Sequence, residues 1–108
     1  MLLAVEQITI EGLVATYTAV TAEDSFVNDG ETVIHVKNAH ASVNNVTLIS
    51  QKTVDGLDVE DPIVAVAATT EQFIGPFPKA IWNDLNRHVF FQSSNLVTNT
   101  VGILTIRN

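Results

Sequence analysis

The sequence predicts an all-β protein, a single antiparallel β-sandwich of about eight strands with jelly-roll-like connections. Of its 108 residues, 36 are Val, Ile or Thr. These β-branched side chains are stiff at χ1 and suit a pleated sheet better than a helix. The apolar runs are also short, and Gly, Asn, Asp and Pro separate them as they separate strands in sandwiches and barrels.

The length and composition fit one domain that spans residues 1–108. A chain of this size buries roughly two-thirds of its unfolded surface, so it can form a core without cross-links. Cysteine is absent, which excludes disulfides, thiolate metal sites and cysteine nucleophiles. The net charge of −7 argues against a nucleic-acid partner, because phosphate binding needs clustered Lys and Arg. Only 16% of residues are charged and 46% are apolar, so we expect another chain to cover part of the surface.

The first predicted element lies within residues 1–11 and is either an N-terminal arm or an edge strand. The stretch from Val5 to Ile10 is predicted as a strand, because Ile8 and Ile10 fall on one face and Gln7 and Thr9 on the other. The apolar run before Glu6 is too short for a signal peptide or a spanning helix, so no membrane partner is expected. The candidate contacts with another subunit are the apolar residues Leu2, Leu3, Val5, Ile8 and Ile10.

The remaining strands follow from short apolar or alternating runs. They are predicted over 13–20, 32–37, 46–50, 63–67, 71–74, 89–92 and 101–107, with a polar stretch at 21–25 and turns at Asn28-Asp29-Gly30 and Asp55-Gly56. In the strand at 32–37 the alternation places Ile34 and Val36 inward and His35 and Lys37 toward water. The only helical turn is expected between Lys79 and Leu85.

An aromatic corner is predicted at Gly75-Pro76-Phe77-Pro78. The two prolines cannot donate to a sheet ladder, so the segment leaves the sheet there. Phe73, Phe77 and Trp82 are expected to close one end of the core. The adjacent residues Phe90 and Phe91 must point to opposite faces of their strand. One of these two phenylalanines therefore lies in a two-sided core or beneath a neighbouring subunit.

No pattern in the chain predicts catalysis or a metal site. The three histidines His35, His40 and His88 lack the spacing of metal ligands. The acidic run Asp55, Asp58, Glu60 and Asp61 does not match a calcium loop. There is no Gly-x-Ser-x-Gly elbow and no glycine-rich phosphate loop. We therefore expect no enzymatic activity, no catalytic residue, no metal and no cofactor.

Several segments in order along the chain resemble small virion proteins of tailed bacteriophages. They are Gly12–Ala19, Asn28-Asp29-Gly30 with Thr32, Val36-Lys37-Asn38, Val54-Asp55-Gly56-Leu57, Val64-Ala65-Val66, Gly75-Pro76-Phe77-Pro78 after Ile74, and Val101–Ile106. The family is that of head decoration, or cement, proteins, and the resemblance covers most of the chain. Each motif alone is weak evidence for the resemblance, which depends on the order of the motifs over the whole chain.

The resemblance implies a small β-rich protein that binds the outside of an assembled capsid and reinforces it. It implies the major capsid protein and further copies of this chain as partners, in a trimer, and a location on the virion after synthesis in the host cytoplasm. Two stretches depart from the resemblance. Many such sequences have a glycine in the turn that here reads Asn86-Arg87-His88, and a glycine is also expected within Ala68-Thr69-Thr70. The alternative function is a tail-associated or carbohydrate-binding β-module, which exposed aromatic platforms would favour.

Overall fold

The computed structural model describes residues 1–51, 53–54, 57–58 and 60–106. Within them the chain forms strands joined by turns, and one short helix. The strands are β1 (Val5–Gln7), β2 (Thr18–Ala19), β3 (Glu23–Val27), β4 (Thr32–Asn38), β5 (Asn44–Ile49), β6 (Thr53–Val54), β7 (Leu57–Asp58), β8 (Ile63–Val66), β9 (Thr70–Ile74), β10 (His88–Ser93) and β11 (Asn99–Thr105), and the helix is α1 (Lys79–Trp82). The predicted all-β class is confirmed. No helix among these residues is long and apolar enough to cross a membrane.

Two sheets form the domain, and their strand order is that of a jelly roll. The larger sheet has the order β2-β11-β4-β9, with β1 pairing the same edge of β11, and the smaller sheet has the order β3-β10-β5-β8. From β2 onward, the chain changes sheet at each step between the strands of these two sheets except from β5 to β8, which pair with each other. Apart from β1, which runs parallel to β11, the described strand pairs are antiparallel. A jelly roll of eight strands is one of the standard double-sheet solutions for antiparallel β chains.

The core lies between the inward faces of the two sheets. Phe26 and Phe91 from the smaller sheet are buried side by side, with ring centroids 6.3 Å apart. Ile34, Val36 and Ile103 of the larger sheet are also fully or almost fully buried. The predicted inward orientation of Ile34 and Val36 is therefore confirmed. Phe91 rather than Phe90 occupies the core, because alternation along β10 gives only one of them to the inner face.

A buried asparagine network ties the two sheets together at one end of the core. Asn44 on β5 donates to the Oδ1 of Asn99 on β11, over 3.0 Å, and Asn99 donates to the Oδ1 of Asn38 on β4, over 3.1 Å. The Oδ1 of Asn44 also accepts from the backbone N–H groups of Ser94 and Asn95. Buried amides are tolerated because these partners replace the hydrogen bonds that the side chains would make with water.

Three predicted strand boundaries are wrong. The strand predicted over 13–20 shrinks to β2, and the polar stretch predicted at 21–25 contains the start of β3. The buried Asp24 explains this strand, since its carboxylate accepts from the Thr21 backbone N–H and the Thr21 hydroxyl. The first strand ends at Gln7 instead of reaching Ile10. The turn predicted at Asp55-Gly56 lies outside the described residues, between β6 and β7.

Left-handed backbone occurs at both places where the resemblance expects a glycine. Thr69 has φ of 58° and Arg87 has φ of 64°. Glycine adopts such a conformation with the least strain, and a β-branched residue such as Thr69 rarely adopts it. In the second turn Arg87 takes the left-handed conformation, and its neighbour Asn86 does not. The backbone thus keeps the conformation that glycine would supply, with other side chains in place.

The predicted corner follows β9 and leads into α1. Gly75 has φ of 126° and the peptide bond to Pro76 is cis. A Cβ at Gly75 would lie 3.0 Å from the Thr32 carbonyl oxygen, so the backbones approach too closely for another residue. Phe77 is buried, and the partly buried Trp82 packs against it edge-on with ring centroids 5.6 Å apart. Phe73 does not belong to this group, and its predicted place at the end of the core is wrong, because it faces outward from β9.

Candidate functional site

The first seven residues dock against both sheets of their own domain. The backbone N–H of Leu3 donates to the carbonyl of Ser25 on β3 over 2.7 Å, and β1 then pairs with the end of β11. Leu3 is buried in the core and Val5 packs against it. These two side chains are therefore held inside the domain. Of the predicted contact residues, this leaves Leu2, Ile8 and Ile10 on the surface.

The segment after β1 forms a loop with a defined shape, which we call the apolar loop (residues 8–14). A tight turn lies within it, because the Gly12 N–H donates to the Thr9 carbonyl over 2.9 Å and Gly12 has φ of 89°. The base of the loop is closed by the Glu6 carboxylate, which accepts from the Thr16 backbone N–H over 2.7 Å. These bonds hold the loop in one conformation, which lowers the entropy that binding must remove.

The apolar loop presents aliphatic side chains to solvent. Ile10 and Val14 are exposed to 104% and 94% of their reference areas. Ile8 and Leu13 are exposed in part, and the exposed Ile106 lies beside the start of the loop, because the Ile8 N–H donates to the carbonyl of Thr105, the preceding residue. Exposed aliphatic side chains that gather in one place are typical of an interaction surface, whereas single ones are common on any protein.

A second candidate site lies on the outer face of the larger sheet, where aromatic and charged side chains form one cluster. The Phe73 ring stacks on His35 with centroids 4.0 Å apart and an interplanar angle of 10°. The Tyr17 hydroxyl lies 2.5 Å from the Nδ1 of His35, and the Lys37 ammonium sits 3.8 Å above the centroid of the Tyr17 ring. The Nε2 of His35 lies 3.0 Å from a carboxylate oxygen of Glu71 without hydrogen-bond alignment.

Gly102 on β11 makes room for this cluster. A Cβ at this position would lie 2.9 Å from the Cε1 of Tyr17, so a larger residue would displace the tyrosine ring. The tyrosine thereby covers His35, which is only 6% exposed although it points away from the core. The prediction that His35 faces water is wrong for this reason.

The surroundings of Tyr17 favour its protonated form. Burial of the ring raises the pKa of Tyr17 from its ordinary value of 10.0, and the carboxylates of Glu71 and Glu6 raise it further. The phenol therefore stays protonated at neutral pH, and its hydroxyl group shares one hydrogen bond with the Nδ1 of His35. A nucleophilic tyrosine would need the opposite shift in its pKa.

Tyr17→Phe is expected to change stability in two ways that differ with pH. At neutral pH the variant leaves the buried Nδ1 of His35 without a partner, which costs about 1–3 kcal/mol of unfolding free energy. In the parent the raised pKa of Tyr17 stabilises the fold fully below pH 10.0, and this stability is lost as the pH rises above that value. Urea unfolding at pH 7 and above pH 10 should therefore show a smaller alkaline loss in the variant. An equal alkaline loss in both proteins would contradict the assignment to Tyr17.

No group of three His, Asp or Glu side chains with the geometry of a metal site occurs in the described part of the chain. The histidines considered as metal ligands do not form one site. His35 lies in the outer-face cluster, and the Nδ1 of His40 accepts from the Ser42 backbone N–H. Of the acidic run, Asp61 accepts from the Ser50 backbone N–H, and Asp55 lies outside the described residues. Comparison of the chain with protein-family models, with curated proteins and with solved structures finds no match.

Proposed function

We propose that the protein is a structural component of a tailed-bacteriophage virion that binds the outer surface of the mature capsid and stabilises it. The observation that carries the proposal is the apolar loop, which presents Ile10 and Val14 on a rigid sandwich with nothing of their own domain covering them. A decoration protein needs no chemistry, only a stable scaffold and a surface complementary to the capsid. The segments that resemble decoration proteins, in the same order along the chain, support the same role. The left-handed backbone at Thr69 and Arg87 is the conformation expected where the resemblance places a glycine.

The proposed partners are the major capsid protein and further copies of this chain, assembled as a trimer. A binding site made by several capsid subunits exists only when those subunits are correctly spaced, so binding should favour the expanded, mature lattice. A trimer that engages several equivalent sites gains avidity without any single strong contact. The proposed location is therefore the exterior of the virion.

Capsid binding should be lost when the apolar loop is made charged. In the double variant Ile10→Asp/Val14→Asp both side chains are already in water, so the fold should be unchanged while affinity for undecorated mature capsids falls at least about tenfold. Co-sedimentation of the protein with capsids of the phage that encodes it measures this. The matched control is Leu85→Asp, since Leu85 is exposed to 103% on a different loop.

Two outcomes would count against the proposal at different levels. If the parent protein does not co-sediment with mature capsids, the decoration role is wrong. If the parent binds and the loop variant binds equally well, the protein decorates the capsid through another surface. Thermal denaturation of each variant checks that the fold is intact.

A further inference from the structure

The outer face of the larger sheet carries an aromatic platform that is fixed before any ligand arrives. One face of the Phe73 ring is taken up by its stacking on His35. The side chain is nevertheless 64% exposed, so the opposite face of the ring is open to solvent. Tyr17 holds His35 in place through its hydroxyl group, which prevents the platform from tilting. A ligand that stacks on Phe73 would therefore lose little entropy in ordering it.

An open pocket of about 320 Å³, with a mainly apolar surface and a few polar side chains, lies beside this platform. Its lining includes Glu71, which precedes Phe73 by two residues on β9 and faces the same side, about 7 Å away along the strand. Lys37 lies opposite Glu71 in the sheet register, and its ammonium group, which sits over the Tyr17 ring, has three N–H donors, so a ligand can bond to those that point away from the ring. The hydroxyls of Thr69 and Thr70 donate to backbone carbonyls, so their oxygen atoms remain as acceptors.

We propose that this face binds a neutral carbohydrate, with one sugar ring stacked on Phe73 and hydroxyl groups bonded by Glu71 and Lys37. A pyranose ring has a flat face of C–H groups and a rim of hydroxyls that both donate and accept. The face suits an aromatic ring without a polar handle, and the rim suits a carboxylate next to an ammonium group. Ligand sites commonly combine an apolar platform with a few placed polar groups in this way.

The charges of the site favour a neutral ligand over an ion. An anion would meet the Glu71 carboxylate and a protein of net charge −7. A cation would compete with the Lys37 ammonium, which already occupies the face of the Tyr17 ring. A neutral sugar faces neither penalty, and it uses the donor and the acceptor together. This site is separate from the apolar loop, so the proposal does not depend on the capsid role.

Nuclear magnetic resonance titration of the full chain tests the proposal. The probes are neutral trisaccharides built from glucose, galactose, mannose or N-acetylglucosamine, each added to millimolar concentration. At least one probe should shift backbone amide resonances of β4 and β9 around His35, Glu71 and Phe73, and should show saturation transfer from aromatic protons to the sugar. No response to any of the probes, or shifts confined to other strands, would overturn the proposal.

Variants at the platform separate stacking from a general surface effect. Phe73→Ala should weaken the binding of the responding sugar by about tenfold or more, whereas Phe73→Trp should preserve or strengthen it. The matched control is Ile63→Ala, because Ile63 is also 64% exposed and lies on an edge strand of the other sheet. Equal affinity of Phe73→Ala and the parent would overturn the assignment of Phe73. The resonances of buried core residues report whether each variant is folded.

Discussion

Phe91→Ala is expected to lower the free energy of unfolding by about 3–5 kcal/mol, the largest effect of a single substitution that we expect in this domain. Phe91 is fully buried between the sheets and its ring lies against that of Phe26. Alanine removes most of the side chain, and the surrounding strands can relax only in part because their hydrogen bonds fix them. A domain of this kind is stable by about 5–15 kcal/mol, so the variant should be marginal.

The neighbouring residue provides the control for this substitution. Phe90 is the same residue type on the same strand, but it lies on the outer face of the smaller sheet and is only partly buried. Phe90→Ala should therefore lower the free energy of unfolding by much less than Phe91→Ala, as urea denaturation would measure. A larger loss for Phe90→Ala would contradict the assignment of the two faces of β10. It would favour the reverse orientation of that strand.

The local sequence pattern predicts those strands in which apolar inward-facing residues alternate with polar ones. In β4 the alternation of Ile34 and Val36 with polar residues predicts both the strand and its inward face, and the structure confirms both. In β3 the same rule fails because its inward residues are not all apolar. Asp24 is buried there, and its burial is tolerated because it accepts hydrogen bonds from Thr21 and pairs with the N-terminal ammonium group 3.6 Å away. A pattern of hydrophobic residues does not reveal the polar contacts that allow a carboxylate to be buried.

The end of the first strand also depends on a distant part of the chain. Polar and apolar residues alternate from Gln7 to Ile10, yet β1 ends at Gln7, opposite Thr105 at the end of β11. The Ile8 N–H still donates to the Thr105 carbonyl, and no further residue of β11 is available to continue the ladder. Ile10 therefore leaves the sheet and enters the apolar loop. The length of β1 is set by β11, which lies far away in sequence.

The outer-face cluster could be predicted only with the strand register known. His35-x-Lys37 and Glu71-x-Phe73 each place two side chains on one face, which the sequence shows. The antiparallel pairing of β4 with β9 then sets His35 opposite Phe73 and Lys37 opposite Glu71. Tyr17 arrives from a third segment and covers the histidine. Outward orientation was predicted correctly, but it does not imply contact with water when another segment lies above.

Removal of residues 1–7 is expected to destabilise the domain by at least the cost of losing Leu3, about 2–5 kcal/mol. The deletion takes away a buried core side chain, the backbone bond from Leu3 to Ser25 and the pairing of β1 with β11. It also leaves the edge of β11 at Ile103–Thr105 unpaired, which exposes backbone groups that can template aggregation. Thermal and urea denaturation of the truncated and full chains measure the loss.

Two point variants distinguish a structural role of this segment from a binding role. Leu3→Ala keeps the backbone and should reproduce a large part of the destabilisation, whereas Leu2→Ala removes an exposed side chain and should change stability by about 0.5 kcal/mol or less. A truncated chain with an unchanged melting temperature would show that the segment is a free arm, available in full for a partner. If stability falls as expected, the segment belongs to the fold, and of the predicted contact residues near this end of the chain only Leu2 and those of the apolar loop are left exposed for the proposed partner.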